Sequence, residues 1–379
     1  MSEEFVQGAG FVAPAPITIT GVRSRVVKVP IKKKVVSRVG IFESMWFVLV
    51  DVETDAGITG STYLWAFSSA GAAAIQKVLV ELAEVAVGED PFCSARLWKK
   101  MRSRITQWGH KGLSIVGLSG IDTVVWDIVG KALNRPLAQV LGGTTDPIPT
   151  YASEGLWLTE DLHALTREAE ELVEGGFKAV KMRLGRARMA DDVEAVRAVR
   201  QTIGPDITLM VDSNQGWDVN YTIRIGRKLE AFDLYWIEEP IRHDDLAGHR
   251  QIAQALDTAL ASGENVYTPH GFREAIEQQA FDILMPDLER VGGVTGWMRT
   301  AALAEAWNLP ICSHLFPEMS VHLLAASPTA CFLEHMPWGG PLFQEQLELV
   351  DGKIRVPNRP GYGFSWDEGA VRHFMDLAG

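Results

Sequence analysis

The chain is poor in cysteine, in long apolar runs and in positive charge, and each shortage excludes something. Three cysteines, Cys93, Cys312 and Cys331, are spread over 379 residues. They form no metal-binding cluster, and so few of them fit a reducing compartment, so a cytoplasmic location is expected. Apolar runs such as 45–50 are far too short to span a bilayer, so no membrane association is expected. The first residues include Glu3 and Glu4 where a secretory signal would have a basic stretch and an apolar core. Lys and Arg number 36 against 48 Asp and Glu, a net charge of −12. A nucleic-acid-binding surface needs a basic face, so no nucleic-acid partner is expected. There is no His-x-His pair of the kind a two-metal hydrolase carries on a barrel strand.

Hydrophobic residues, in contrast, make up 47% of the chain, which supports a full core. The length accommodates a barrel of about 250 residues and a second domain. Residues 1–16 are Gly/Pro/Ala-rich and read as a tail. Strands are expected at 17–30 and 46–52, with a basic loop at 31–40 between them and a hairpin or bend at Gly57-Ile58-Thr59-Gly60. Apolar residues then recur at three and four over 72–87 and 117–133, the helical period. Strands followed by helices in blocks predict an α+β domain over 17–146. From 147 the pattern alternates. Strands are expected at 148–152, 179–183, 207–212, 235–238, 259–263, 283–286, 310–313 and 332–334, with helices between them such as 162–175 and 191–203. Eight such units predict an α/β fold, a (β/α)8-type TIM barrel over 147–349. It is a modified one, because its last unit is short. The remainder, 350–379, carries Gly352, Pro357, Pro360 and Gly361 and is expected to pack back and complete the first domain.

Three carboxylates end apolar runs of this barrel: Asp212, Glu238 and Glu264, each 26 residues from the next. One strand-helix unit has a similar length, so equal spacing brings strand-end residues to one rim, where such barrels keep their chemistry. Three anionic oxygen ligands at one point suit Mg²⁺. Taken singly, each could be a loop or cap carboxylate. Glu239 follows Glu238 directly, so on a strand it points elsewhere. His314 ends the seventh strand and Asp287 the sixth. Side by side, the carboxylate would fix the imidazole tautomer and make a general base near neutral pH; a buried, satisfied core histidine is the competing reading. Lys181 and Arg183 are two apart on a strand and share one side. Cations facing into a barrel are costly unless they meet an anion, which favours a site.

The motifs Ala179-Val180-Lys181-Met182-Arg183, Val211-Asp212-Ser213-Asn214-Gln215, Trp236-Ile237-Glu238-Glu239-Pro240, Ser262-Gly263-Glu264-Asn265, Met285-Pro286-Asp287 and Ser313-His314-Leu315-Phe316 occur in this order. The set resembles the mandelate racemase subgroup of the enolase superfamily, over the full length and into Thr62-Tyr63-Leu64. The resemblance implies an N-terminal capping domain, a modified barrel, bound Mg²⁺, removal of the α-proton of a small-molecule carboxylate, and a homo-oligomer. It also implies that Lys181 neutralises the substrate carboxylate and that Glu334 hydrogen-bonds it as an acid. Ser153 and Asn214 fall where the family has polar contacts to substrate. The family motif is Lys-x-Lys, and its second lysine is the base on the face opposite the His-Asp pair. Here that position is Arg183, which stays protonated and is a poor base. Racemisation needs an acceptor on each face, whereas dehydration of a sugar acid to a 2-keto-3-deoxy acid needs one. Dehydration is therefore the expected reaction. A racemase or epimerase of a 2-hydroxy acid is the alternative, and a non-catalytic metal- or acid-binding barrel the third. Lys32, Lys33, Lys34 and Arg38 make 31–40 a basic flap, suited to a polar acid unless the charges are simply solvated.

Overall fold

The computed structural model describes residues 16–379. The tail expected over 1–16 lies, apart from Pro16, outside the described residues. Among the described residues the first sheet has three antiparallel strands in the order β1 (Ile19–Ser37), β2 (Gly40–Thr54), β3 (Thr59–Trp65). Helices α1 (Ser69–Ala86), α2 (Ser94–Arg104), α3 (Leu113–Ala132) and α4 (Leu137–Val140) follow. Strand β2 is buried on both faces, which is why its sequence is a continuous apolar run and not an alternation. Phe47 and Leu49 pack toward the barrel, while Val48, Val50 and Val52 pack with the helices. Among the described residues only α3 has the length and apolarity to cross a bilayer, and it lies 89% buried inside the protein.

The basic loop expected at 31–40 is instead a continuation of β1. Val35 and Val36 pair with Phe42 and Ile41, after a register shift between Pro30 and Val35 that accommodates the lysines. β-branched Val35 and Val36 favour the strand, and the turn is confined to Arg38 and Val39. Lys33 reaches Glu168 at 2.5 Å and Lys34 reaches Glu43 at 3.2 Å, both at the surface.

The second unit runs β4 (Ile148–Ala152), α5 (Leu162–Glu174), β5 (Ala179–Arg183), α6 (Met189–Ile203), β6 (Thr208–Asp212), α7 (Val219–Leu229), β7 (Leu234–Glu238), α8 (Leu246–Ala253), β8 (Leu260–Ser262), α9 (Thr268–Glu277), β9 (Ile283–Leu284), α10 (Leu288–Val291), α11 (Gly293–Ala306), α12 (Pro317–Ala325) and β10 (Leu333–His335). Strands β4 to β9 pair in sequence, all parallel, and β10 closes onto β4. The strand expected at 310–313 is present only as isolated bridges, Leu284 to Ile311, Asp287 to His314 and Ile311 to Ala330. Pro310 has no N–H to give to a ladder. The eighth unit is indeed short: β10 is followed by a single 3₁₀ turn, Gly340–Leu342.

The pleat sorts this barrel into layers. Inward positions at its base are Tyr151, Ala179, Met210, Trp236, Ala261, Ile283 and Cys312, a plug of apolar side chains. Two residues further along five of these seven segments, the same side carries Ser153, Lys181, Asp212, Glu238 and His314. Val180, Met182, Leu209, Val211 and Ile237 point outward to the helices. An apolar plug thus supports a polar layer at the C-terminal rim.

The C-terminal segment serves both units. Its hairpin β11 (Leu349–Val350) and β12 (Lys353–Ile354) adds to β4. Beyond it, Tyr362 N–H donates to Asp127 at 2.9 Å, Trp366 Nε1 donates to Asp51 at 2.7 Å, and α13 (Glu368–Asp376) follows, where Glu368 meets Arg25 of β1. Across the seam between the units, Asp122 of α3 accepts from the Thr295 N–H at 2.8 Å and its hydroxyl at 2.6 Å. Glu289 accepts from the Trp65 N–H at 2.9 Å.

His322 fixes the joint of α12, α4 and the C-terminal segment. Its Nδ1 accepts from the Ala138 N–H at 3.3 Å and its Nε2 donates to the Tyr362 carbonyl at 3.0 Å. That pattern requires a neutral ring, and burial lowers its pKa to about 4. Unfolded, the ring titrates near 6.5. Between these values the unfolded chain takes up the proton, so this contribution to stability is lost as pH falls from about 6.5 to about 4. Urea unfolding of wild type and H322N across this window tests it. The wild-type advantage should shrink with falling pH, by no more than about 3 kcal/mol. A constant difference would rule the account out.

Candidate active site

A cavity of about 250 Å³ opens between the β1–β2 hairpin and the barrel rim. Its floor is polar: Lys181, Arg183, Asp212, Asn214, Gln215, Glu264, Asn265, His314 and Glu334. Its walls are apolar, with Val35, Val39 and Phe42 from the hairpin and Trp65, Trp157, Met336 and Trp338 around them. Lys32, Lys33, Lys34 and Arg38 do not line it. The flap therefore presents valine and phenylalanine inward, and its lysines are solvated charges.

Lys181 stands at the centre of the floor, 1% exposed. Its Nζ lies 2.6 Å from Glu238 Oε1, 3.0 Å from Glu334 Oε1 and 3.7 Å from Asp212 Oδ2. Burial opposes its charge, but Glu238 and Glu334 raise its pKa, so it remains an ammonium. Arg183 is held as tightly. Its Nη1 donates to the Ser153 carbonyl at 2.9 Å, its Nη2 to Ser153 Oγ at 3.0 Å, and its guanidinium lies 4.3 Å from the Trp157 ring centroid. A desolvated cation over a Trp face is worth about 2 kcal/mol.

Glu334 accepts from Ser153 Oγ at 2.7 Å and, through Oε2, from the Leu315 N–H at 2.7 Å. Burial would raise its pKa, but Lys181 and His314 lower it well below the usual carboxylate range. In this state it accepts hydrogen bonds and has no proton to donate, unlike the acid that the resemblance implies. Ser153 is fully buried between Glu334 and Arg183 and does not line the cavity. The substrate contact expected of it is replaced by a bracing role. Asn214 does line the cavity. It has φ 45°, its Nδ2 donates to Asp212 at 3.0 Å, and its buried Oδ1 has no partner among the described residues.

Asp212 and Glu238 are register partners on β6 and β7, but Glu238 pairs next with Ala261. Glu264 thus lies three residues above their row, despite the equal spacing in sequence. Gly263 makes the step. Its φ is 135°, and a Cβ there would sit 2.8 Å from Phe272 and 3.0 Å from the Met285 nitrogen. Glu238 is raised to about 8 by burial, opposed by Lys181 and reinforced by Asp212, Glu334 and Glu264. Glu239, with φ 38°, turns away to Gln215 at 2.8 Å and Asn265 at 3.0 Å. Among the described residues no three His, Cys, Asp or Glu side chains are grouped as ligands of one metal ion. Lys181 and Trp236 Nε1 each hold one oxygen of Glu238. The donor set still fits a hard divalent cation. Asp212 and Glu264 line the cavity, the unpartnered Asn214 oxygen lies beside them, and the carboxylates repel one another in a buried site.

His314 faces this row. Its Nδ1 lies 2.7 Å from Asp287 Oδ2, and the other Asp287 oxygen caps α10 by accepting from Glu289 N–H at 2.9 Å and Arg290 N–H at 3.0 Å. Asp287 is thereby fixed, and it fixes the ring with Nδ1 protonated, leaving Nε2 toward Glu264 at 3.4 Å. Burial lowers the imidazole pKa, but Glu264, the Asp287 hydrogen bond and Glu334 bring it up to about 9. Gln215 and Asn265 lie inside motifs visible in the sequence, yet nothing there assigned them to the site. Trp157 and Trp338 carried no local signal at all.

Residues 19–142 match the mandelate racemase / muconate lactonizing enzyme N-terminal domain, and residues 164–370 the enolase C-terminal domain-like family. The chain belongs to the mandelate racemase / muconate lactonizing enzyme family. It is 34% identical to an L-talarate/galactarate dehydratase of Salmonella typhimurium, over 86% of this chain and 81% of the relative. A 3,6-anhydro-alpha-L-galactonate cycloisomerase of Streptomyces coelicolor is 33% identical, over 92% and 97%. The crystal structure of a Bradyrhizobium enolase complexed with magnesium and mandelic acid has a TM-score of 0.89 at 36% identity, covering 95% of this chain and 99% of that one. The chain is an enzyme of the enolase superfamily, with the α/β barrel and antiparallel capping sheet of this family.

The charge on Glu264 contributes most to raising the His314 pKa. In metal-free protein, NMR titration should find His314 protonated up to about pH 9, and E264Q should lower that midpoint. An unchanged midpoint would mean that Asp287 and Glu334 set it without Glu264.

Proposed function

We propose that this enzyme removes the α-proton of a 2-hydroxy carboxylate with one base, His314, and expels the β-hydroxyl, dehydrating a sugar acid to a 2-keto-3-deoxy acid. The observation that carries the reading is the asymmetry of the floor. His314, held by Asp287 with Nε2 turned into the cavity, becomes a basic acceptor once the charge on Glu264 is neutralised, whereas Lys181 and Arg183 across from it are held as cations throughout. One face of a bound substrate meets an acceptor and the other does not.

The substrate carboxylate would lie over Lys181, whose ammonium offsets the charge that grows there as the α-proton leaves. Asp212, Glu238 and Glu264 would hold Mg²⁺, which when bound supplies Lewis-acid stabilisation of that charge. Its arrival requires Lys181 to share Glu238, and the Asn214 oxygen offers a further contact. Neutralising Glu264 would also lower His314 from about 9 toward the neutral range where a base works best. His314 Nε2 takes the α-proton. The resulting imidazolium, still held by Asp287, returns a proton to the departing β-hydroxyl, which leaves as water. The enol then becomes the keto acid. Arg183 holds Ser153, and Ser153 holds Glu334, so the far wall stays rigid while charge develops.

A second reading rests on the apolar walls. Trp65, Trp157, Trp338 and Phe42 suit an aromatic 2-hydroxy acid as well as the carbon face of a sugar. ¹H NMR in D₂O with Mg²⁺ separates the two, using aldonic acids, aldaric acids and both mandelate enantiomers. A 2-keto product from a sugar acid, without racemisation, is expected. Racemisation of mandelate with deuterium entering both enantiomers would overturn the one-base mechanism. H314N should lower turnover by at least about 10³-fold while leaving the fold intact. D212N, E238Q and E264Q should each weaken the rise in melting temperature that Mg²⁺ gives wild type. If all three keep that rise, the ion binds elsewhere.

A further inference from the structure

Cys312 and Cys331 lie on neighbouring segments at the base of the barrel. Ile311 bridges Ala330 in parallel, and the Cys331 N–H donates to the Ile311 carbonyl at 2.9 Å. Cys312 and Cys331 are the next pair in that register, so they stand opposite each other and point to the same side. Cys312 is buried in the apolar plug, and Cys331 packs against it while remaining partly accessible. Adjacent strands lie about 4.8 Å apart, within the range that a disulfide spans between Cα atoms. Each thiol now donates to a backbone carbonyl, Cys312 Sγ to Leu284 at 3.7 Å and Cys331 Sγ to Ile311 at 3.3 Å, so neither is locked by a strong partner.

We infer that Cys312 and Cys331 form a redox-modifiable dithiol that closes to a disulfide beneath the active site. The accessible Cys331 sulfur attacks a peroxide oxygen and becomes a sulfenic acid as one water leaves. The Cys312 sulfur then attacks it, forming the S–S bond and releasing a second water. Two thiols lose two electrons and two protons, and hydrogen peroxide is reduced to water. A disulfide's Cβ atoms lie about 3.8 Å apart, closer than parallel strands hold them, so the bridge must draw the strands together. Such a bridge is strained and readily reduced.

Its position links it to catalysis. Cys312 is two residues before His314 and Cys331 three before Glu334. The same two segments are tied at the rim, where Glu334 N–H donates to Ser313 Oγ at 2.9 Å and Leu315 N–H donates to Glu334 at 2.7 Å. Drawing them together at the base shifts the base His314 against its anchored partner Asp287, and a misplacement of about 1 Å is enough to slow proton transfer.

The test is peptide mapping by mass spectrometry after mild hydrogen peroxide, with and without dithiothreitol. The expected product is a peptide pair joined through Cys312 and Cys331, lighter by two hydrogens and restored by the reductant. C93S should behave as wild type, and C331S should form no such pair. Oxidised protein should lose activity several-fold and regain it on reduction. A Cys331 that over-oxidises to sulfinic acid with Cys312 still free would overturn the inference, as would pairing through Cys93. Because the mapping needs no substrate, it stands or falls separately from the proposed reaction.

Discussion

Everything in the site rests on one buried ammonium. Lys181 sits where Asp212, Glu238 and Glu334 converge, beyond the reach of solvent. Without it, three carboxylates would remain in a medium that cannot screen them, at a cost of several kcal/mol. With it, the floor still carries a negative surplus, because Lys181 and Arg183 face the three carboxylates of Asp212, Glu238 and Glu334. Burial lifts Glu238 to about 8, and the surplus adds to that rise. The surplus is also the physical case for a divalent cation, since two further positive charges near Asp212 and Glu264 relieve it directly. Ion binding and substrate binding thus draw on the same imbalance.

The barrel creates this imbalance without bending its strands. Because side chains alternate, a strand that buries Ala179 or Met210 at its base must present Lys181 or Asp212 two residues later on the same side. The apolar plug beneath makes the polar layer rigid, and the layer needs rigidity because its charges tolerate no slack. Where alternation would fail, glycine intervenes. Gly263 lets the chain step so that Glu264 rises above the row of Asp212 and Glu238 and meets His314 from the other side.

This explains which parts of the site were legible in the sequence. Residues at strand ends announce themselves, because an apolar run followed by a charge marks both the strand and its rim; Asp212, Glu238, Asp287 and His314 were all visible in this way. Even the weak strand at 310–313 was found from its apolar pattern, although Pro310 leaves it only isolated bridges. The equal spacing of 26 was a true guide to the rim but not to the row, because loop length and register are independent. For the flap, charge alone left a basic lining and a solvated run both open, and the structure has the solvated run. Lys32 to Lys34 are conspicuous in sequence, yet they stay at the surface while Val35 and Phe42 of the strands, and Val39 at the tip, face the cavity. Trp157 and Trp338 were invisible because they come from loops that carry no periodicity and meet only in three dimensions.

The division between floor and walls has a chemical consequence. Charge work is confined to the floor, where every ionised group is braced: Arg183 by Ser153 and Trp157, Glu334 by Ser153 and the Leu315 N–H, Asp287 by the first turn of α10. The walls carry no charge from the hairpin and exclude water by aromatic and aliphatic surface. Excluding water strengthens each interaction on the floor and deprives a developing anion of any stabilisation except what the protein fixes in place. The substitution of arginine in the Lys-x-Lys motif belongs to the same economy. A lysine at 183 could give up its proton and act on the second face. An arginine stacked on Trp157 cannot, and it gains from the stack a rigidity that a lysine would lack. Under the proposed mechanism, the same arginine that leaves one face without a base also stiffens the wall opposite His314.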